Sequence, residues 1–167
     1  MAFLLRTIRK SKWYKHEGVP WLPAGEFQAD ALFDLKTESN RLSLWQVKDD
    51  RSNLNRVLAA VAANKDHPSN LDYALFNEDT ILSLNLTLVQ TDGESADNEV
   101  SVMWHRELIE LSASRLLQLA KGIFTDAERE RVSEANVLQL IARAVKAREI
   151  DLTRLKENIR AKIEKLI

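Results

Sequence analysis

Asp30, Asp34, Gln46 and Lys48 are the residues of this 167-residue chain whose types and spacing come nearest to a reactive centre. Two carboxylates near the end of one strand could hold a divalent cation, whose bound water ionises more readily and attacks phosphorus. A lysine two residues beyond a further ligand would stabilise the charge that builds on a phosphate. The ligand position before Lys48 is filled by Gln46. A neutral amide binds a hard cation less well than a carboxylate does.

In outline this arrangement resembles the PD-(D/E)xK metal-dependent nucleases, over the stretch from Asp30 to Lys48. The resemblance implies a Mg²⁺-dependent nuclease that uses Asp30, Asp34 and Lys48, with Gln46 where the family carries an acid. Strand register gives an independent test. In residues 27–35 the odd positions are Phe27, Ala29, Ala31, Phe33 and Leu35 and the even ones are mostly polar, the alternation of a half-buried strand. Residues 37–40, TESN, read as a turn, and residues 41–49 as a second strand. A symmetric hairpin sets Phe33 opposite Leu44 and Ala31 opposite Gln46, leaving Asp30 and Asp34 on the other face from Gln46 and Lys48. A one-residue slip would bring an aspartate round, but it turns a whole apolar set outward. Each large side chain in that set contributes about 1.5–3 kcal/mol when buried. The stretch LSLWQVKDD, residues 42–50, therefore reads as a strand whose polar end runs into a helix. No catalytic residue is assigned, and the divergent nuclease stands as an alternative.

A second group mixes cations with aromatic rings: Arg6, Arg9, Lys10, Lys12, Trp13 and Lys15, with Trp21 nearby. Such a mixture suits nucleic acid, because cations neutralise phosphates and rings stack on bases. Five cations are a small footprint, and the sequence pI of about 6.3 is far below that of a typical nucleic-acid binder. The competing reading has Trp13, Tyr14 and Trp21 covering a sheet edge while the lysines stay solvated.

Other chemistries are excluded by counting. There is no cysteine, so disulfides, thiolate ligands and cysteine nucleophiles are absent. His16, His67 and His105 are far apart and in no ligand spacing, and Ser112 and Ser114 lack a nucleophile-elbow context. Four glycines rule out the phosphate-cradling loops. The acidic segment 91–99 lacks the spacing of a calcium loop and reads as a solvated hairpin tip. No metal and no cofactor are expected.

The elements that must position these residues read as α+β. An antiparallel sheet of about five or six strands is expected, built from residues 3–9, 27–35, 41–49, 71–76, 82–89 and 100–104. One helix over 53–65 carries the stripe Leu54, Val57, Leu58, Val61 and the small residues Ala59, Ala60, Ala62 and Ala63, with Ser52 as its cap. From about residue 106 the pattern turns helical. Gly122 marks a stop, Thr125 to Glu128 reads as a capping box for a helix running towards 148, and Asp151 caps a last one. This gives an α+β domain over 1–124 and a helical extension over 125–167.

Charge is unevenly spread. From Asp66 to His105 there are eight acids and no lysine or arginine. The final helix has an apolar stripe, Leu152, Leu155, Ile159, Ile163 and Leu166, spaced for packing on its own domain or on a partner helix. No apolar run is long enough to span a membrane, and the N-terminal residues do not follow a signal-peptide pattern. A soluble cytoplasmic chain is the expectation. By elimination the function read from the sequence is a non-catalytic binding or protein-interaction module. Its partner is another protein, or a second copy reached through the C-terminal helix, and a small nucleic-acid binder is the remaining alternative.

Overall fold

A computed structural model describes residues 2–13 and 20–167. Six strands form one sheet: β1 (Phe3–Thr7), β2 (Leu42–Val47), β3 (Leu71–Asn77), β4 (Thr87–Gln90), β5 (His105–Ile109) and β6 (Glu128–Val132). Their order is β4-β5-β2-β1-β3-β6, and every neighbouring pair is antiparallel. Five helices join them: α1 (Leu54–Ala63), α2 (Glu78–Ser83), α3 (Ala113–Asp126), α4 (Glu134–Lys146) and α5 (Glu157–Ile163). The α+β class and the antiparallel sheet agree with the sequence reading.

Both faces of the sheet are covered, which is why the central strands lack clean alternation. In β1, Leu4 points to one face and Leu5 to the other, and both are fully buried. On the Leu5 side, Val47, Tyr73 and Leu75 pack with α1, α4 and α5. The four alanines of α1 are all buried there, so this helix lies close to its neighbours as expected. On the Leu4 side, Leu42, Leu44, Phe76 and Leu108 pack with Ile81 of α2 and with Leu119, Ala120, Ile123 and Phe124 of α3. Strand β6 forms the outer margin beside β3, where Arg131 and Asp72 are cross-strand partners joined by an ion pair of 2.6 Å.

Several local expectations are corrected. Residues 27–35 are not a strand: Ala29–Leu35 is a 3-10 helix, and β2 pairs instead with β1 and β5. Phe27, Ala31 and Leu35 are the buried members of the odd set, while Phe33 is 73% exposed. Ala31 and Leu35 are four residues apart, a spacing that two-residue alternation also contains, so local pattern alone did not exclude a strand. Residues 82–88 likewise divide between α2, capped by the Asn77 side chain, and β4.

Val100–Trp104 forms a π-helical turn, and the strand that pairs back is β5, in the region read as helix. Helix α3 runs through Gly122 to Asp126. A Cβ on Gly122 would lie 3.1 Å from Thr80 Cγ2, so the missing side chain permits close approach of α2 to α3. The Thr125 hydroxyl donates to the Lys121 carbonyl within α3 rather than opening a new helix. Glu128 begins β6, and α4 starts later, capped by Ser133. Asn53, not Ser52, occupies the cap position of α1. Asp151 caps a short 3-10 turn, Leu152–Arg154, ahead of α5. Among the described residues no helix is long and apolar enough to cross a membrane.

Candidate functional site

The basic N-terminal residues are largely engaged inside the fold. Arg6 is partly buried, and burial lowers its pKa against the opposing pull of Asp34. Its guanidinium donates to the carbonyls of Asp34 and Ser43, each at 2.8 Å. Arg9 pairs with Asp34 at 2.8 Å and Lys12 with Asp30 at 3.0 Å. The Lys10 backbone N–H donates to Asp72 at 2.9 Å. Trp13 is fully buried, stacks on Phe27 at 5.7 Å, and donates its indole N–H to Asp34. Trp21 is exposed. Lys15, Tyr14 and His16 lie outside the described residues.

These contacts account for the two aspartates. Asp34 accepts from the Arg9 backbone, the Arg9 guanidinium and the Trp13 indole, and it holds the 3-10 helix against the segment that follows β1. Asp34 borders one cleft with Arg9 and Lys65, whereas Gln46 and Lys48 border another. Arg6 ties the Asp34 backbone to Ser43, near the start of β2, while Lys48 follows the strand's other end. Five residues of strand separate Ser43 from Lys48, a run of roughly 16 Å. The structure does not bring Asp30 and Asp34 together with Gln46 and Lys48. Among the described residues no group of three or more histidine or acidic side chains is placed to hold a metal ion.

Gln46 and Lys48 instead help to line an open cleft of about 450 Å³, with Asn53, Gln90, Met103, Trp104 and Arg106. Its origin lies in the alternation of β2. Leu42 and Leu44 point into the Leu4-side core, and the same face continues through Gln46 to Lys48, where the strand turns polar. Arg106 of β5 pairs across with Leu44 on one side and with Gln90 on the other. Gln46, Gln90 and Arg106 therefore share one face of the sheet, as alternation requires. Asn53 closes the end of β2 by accepting from the Lys48 backbone at 2.8 Å and donating to the Gln46 carbonyl at 3.2 Å.

Arg106 donates to the carbonyls of Met103 at 3.0 Å and His105 at 2.8 Å, and to Gln46 Oε1. Burial lowers its pKa, with Glu78 pulling the other way. Guanidinium stays charged through such a shift. Among the described residues no carboxylate stands in direct ion-pair contact with Arg106 or Lys48, although Glu78 acts on Arg106, Lys48 acts on Asp50, and Asp49 borders the same cleft. Lys48 Nζ lies 6.0 Å from the centre of the Trp104 ring. Arg56 of α1 lies 5.4 Å from that ring. It is fixed by Asp97 at 2.6 Å, Glu99 at 2.9 Å and Glu149 at 3.6 Å. Its hydrogen bond to Asp97 is the main cause of its raised pKa.

The acidic segment before Trp104 is no solvated tip. Asp97 is 1% exposed, and its carboxylate accepts from the Glu99 and Val100 backbones as well as from Arg56. Ser95 and Ser101 complete this buried network. His105 is also buried, with Nδ1 2.9 Å from the Thr91 hydroxyl and 3.2 Å from the Thr91 carbonyl. Gly93 packs directly against the imidazole ring.

The sequence reading pointed to Gln46 and Lys48 but missed Gln90, Trp104 and Arg106. The signal was present in parity: a cation two residues before Leu108 in a strand falls on the same face as that leucine. It was hidden because residues beyond 106 read as helix. The C-terminal stripe has a different fate. Leu155, Ile159 and Ile163 are buried in the chain's own core, Leu152 is partly buried against it, and Leu166 is 39% exposed.

The cleft offers two cations, three amides, an indole and one carboxylate, that of Asp49, a net positive set suited to holding an anionic ligand with a flat portion. No family model, curated protein or solved structure matches the chain.

Proposed function

We propose that this chain is a non-catalytic binding module whose ligand, a small anion, occupies the cleft between the ends of β2 and β5. One observation carries the reading: Lys48 and Arg106 face a common cleft without ion-pair partners, whereas Arg9, Lys12, Arg56 and Arg131 each have one. Arg106 is partly buried with no carboxylate in direct contact, and an incoming anion completes it, while the exposed Lys48 adds charge at the mouth of the cleft. The bonds from Arg106 to Met103 O, His105 O and Gln46 fix the guanidinium before any ligand arrives, which lowers the ordering cost of binding. The terminal helix is not the element this reading uses, since most of its apolar stripe lies within the chain's own core.

The test is a titration of the full chain with inorganic pyrophosphate, followed by backbone and side-chain NMR. The expected result is a saturable shift of the Trp104 indole and the Gln46 amide at about 1 mM, lost in Arg106→Gln and weakened in Lys48→Ala. Unfolding curves check that both variants remain folded. Pyrophosphate that leaves those signals unmoved in the folded protein overturns the proposal.

A further inference from the structure

We propose that the ligand of this cleft is a nucleotide: a phosphate joined to a flat heterocycle whose edge carries both a hydrogen-bond donor and an acceptor. This rests on the anion-binding reading above and goes beyond it. Asn53 is taken up by the β2 backbone, and the other two cleft amides are already oriented by neighbours of fixed polarity. Arg106 can only donate, so Gln46 meets it with Oε1 and keeps its NH₂ as a free donor. The Val102 carbonyl can only accept, so Gln90 meets it with its NH₂ at 3.0 Å and keeps Oε1 as a free acceptor. One face of the sheet thus presents a set donor on β2 and a set acceptor on β4, one on either side of Arg106. A simple anion uses neither, whereas the Watson–Crick edge of every nucleobase carries at least one donor and one acceptor.

The rest of the lining fits the same class. Trp104 and the half-exposed Met103 supply apolar surface for a ring, and stacking on an aromatic side chain contributes about 1–3 kcal/mol per base. Arg106 and Lys48 supply the charge for one phosphate, set against the single carboxylate of Asp49 in the same lining. At about 450 Å³ the cleft lies within the usual range for a small ligand. A free nucleotide and the exposed end of a single strand share this chemistry.

The experiment titrates the full chain with the four nucleoside 5′-monophosphates, ribose 5-phosphate, pyrophosphate and single-stranded octanucleotides, reading the Gln46, Gln90 and Trp104 side-chain signals by NMR. At least one nucleotide is expected to bind about tenfold more tightly than ribose 5-phosphate, and Gln90→Leu to lose about that factor. Trp104→Leu is expected to weaken nucleotides more than ribose 5-phosphate. An octanucleotide tighter than its monomers identifies a strand as the source and equal affinity the free nucleotide; both uphold the inference. Nucleotides that bind no better than ribose 5-phosphate overturn it while leaving the anion site standing. Failure of pyrophosphate and nucleotides alike overturns both.

Discussion

Arg56 reaches from α1 to the buried carboxylate of Asp97, with Nε 2.6 Å from Oδ2, and its guanidinium lies beside the Trp104 ring at the cleft. The pair fastens the segment after β4 to the helix layer, so the wall of the cleft depends on an ion pair outside it. Asp97→Ala strands this arginine and frees two backbone N–H groups, and breaking a buried pair costs about 3–5 kcal/mol. Urea unfolding should show a loss near the lower end, because Glu99 and Glu149 still face Arg56. Glu99→Ala, at the exposed end of the same cluster, should change stability by less than about 1 kcal/mol.

The contact between Gly93 and His105 should appear as a coupling. A Cβ on residue 93 would lie 2.4 Å from the imidazole carbons, a distance no packing tolerates. Gly93→Ala is expected to destabilise the fold by about 1–3 kcal/mol, the usual cost of overfilling a packed site. In the background of His105→Ala the same change should cost much less. A double-mutant cycle measures the difference, and additive effects would show that the glycine is needed for another reason.

His105 predicts an acid sensitivity with a defined sign. Burial holds its pKa below the ordinary value of about 6.5. The Thr91 carbonyl, Glu107 and Asp92 oppose this shift, and Arg106 adds to it. The unfolded chain therefore takes up a proton that the folded chain resists. Stability is complete above about pH 6.5 and falls as the pH drops towards the folded value. The thermal midpoint of the wild-type chain should decline from about pH 7 to 5, and His105→Gln should flatten that decline. Asp72, held low chiefly by Arg131, acts in a separate window, its contribution present above about pH 3.9 and lost below it. Equal slopes in both proteins would remove His105 from the account.

Asp34 separates a structural role from a catalytic one. It accepts from the Arg9 backbone, the Arg9 guanidinium and the buried Trp13 indole. Asp34→Ala leaves these donors unmet and should cost about 2 kcal/mol in chemical denaturation. It should leave pyrophosphate binding at the distant cleft unchanged. A loss of binding with full stability would return Asp34 to the functional residues.

Reading the sequence succeeded where burial and secondary structure agree. The stripe of α1 and the apolar runs of β1, β2 and β3 come from local pattern alone, and the alanines of α1 foretold its close packing. It failed where tertiary contacts choose between two local solutions. Phe27, Ala31 and Leu35 satisfy a strand and a helix equally, and the bonds of Asp34 to Arg9 and Trp13 favour the helix. Glu-Arg-Glu-Arg in β6 has little strand propensity of its own, so its state is set by pairing with β3. The cleft was half legible. Gln46 and Lys48 stood out by type, but their true neighbours, Trp104 and Arg106, lie about sixty residues away on a strand the pattern did not reveal.

Strand β6 has one more consequence. The sheet ends there in alternating glutamate and arginine, and a ribbon docking alongside would have to match each sign in turn while stripping water from all of them. The opposite margin, β4, is four residues long and carries no charge. Fibre-like stacking of one copy on another is opposed on one flank by charge and starved of length on the other, so neither open margin is a good template for a further strand.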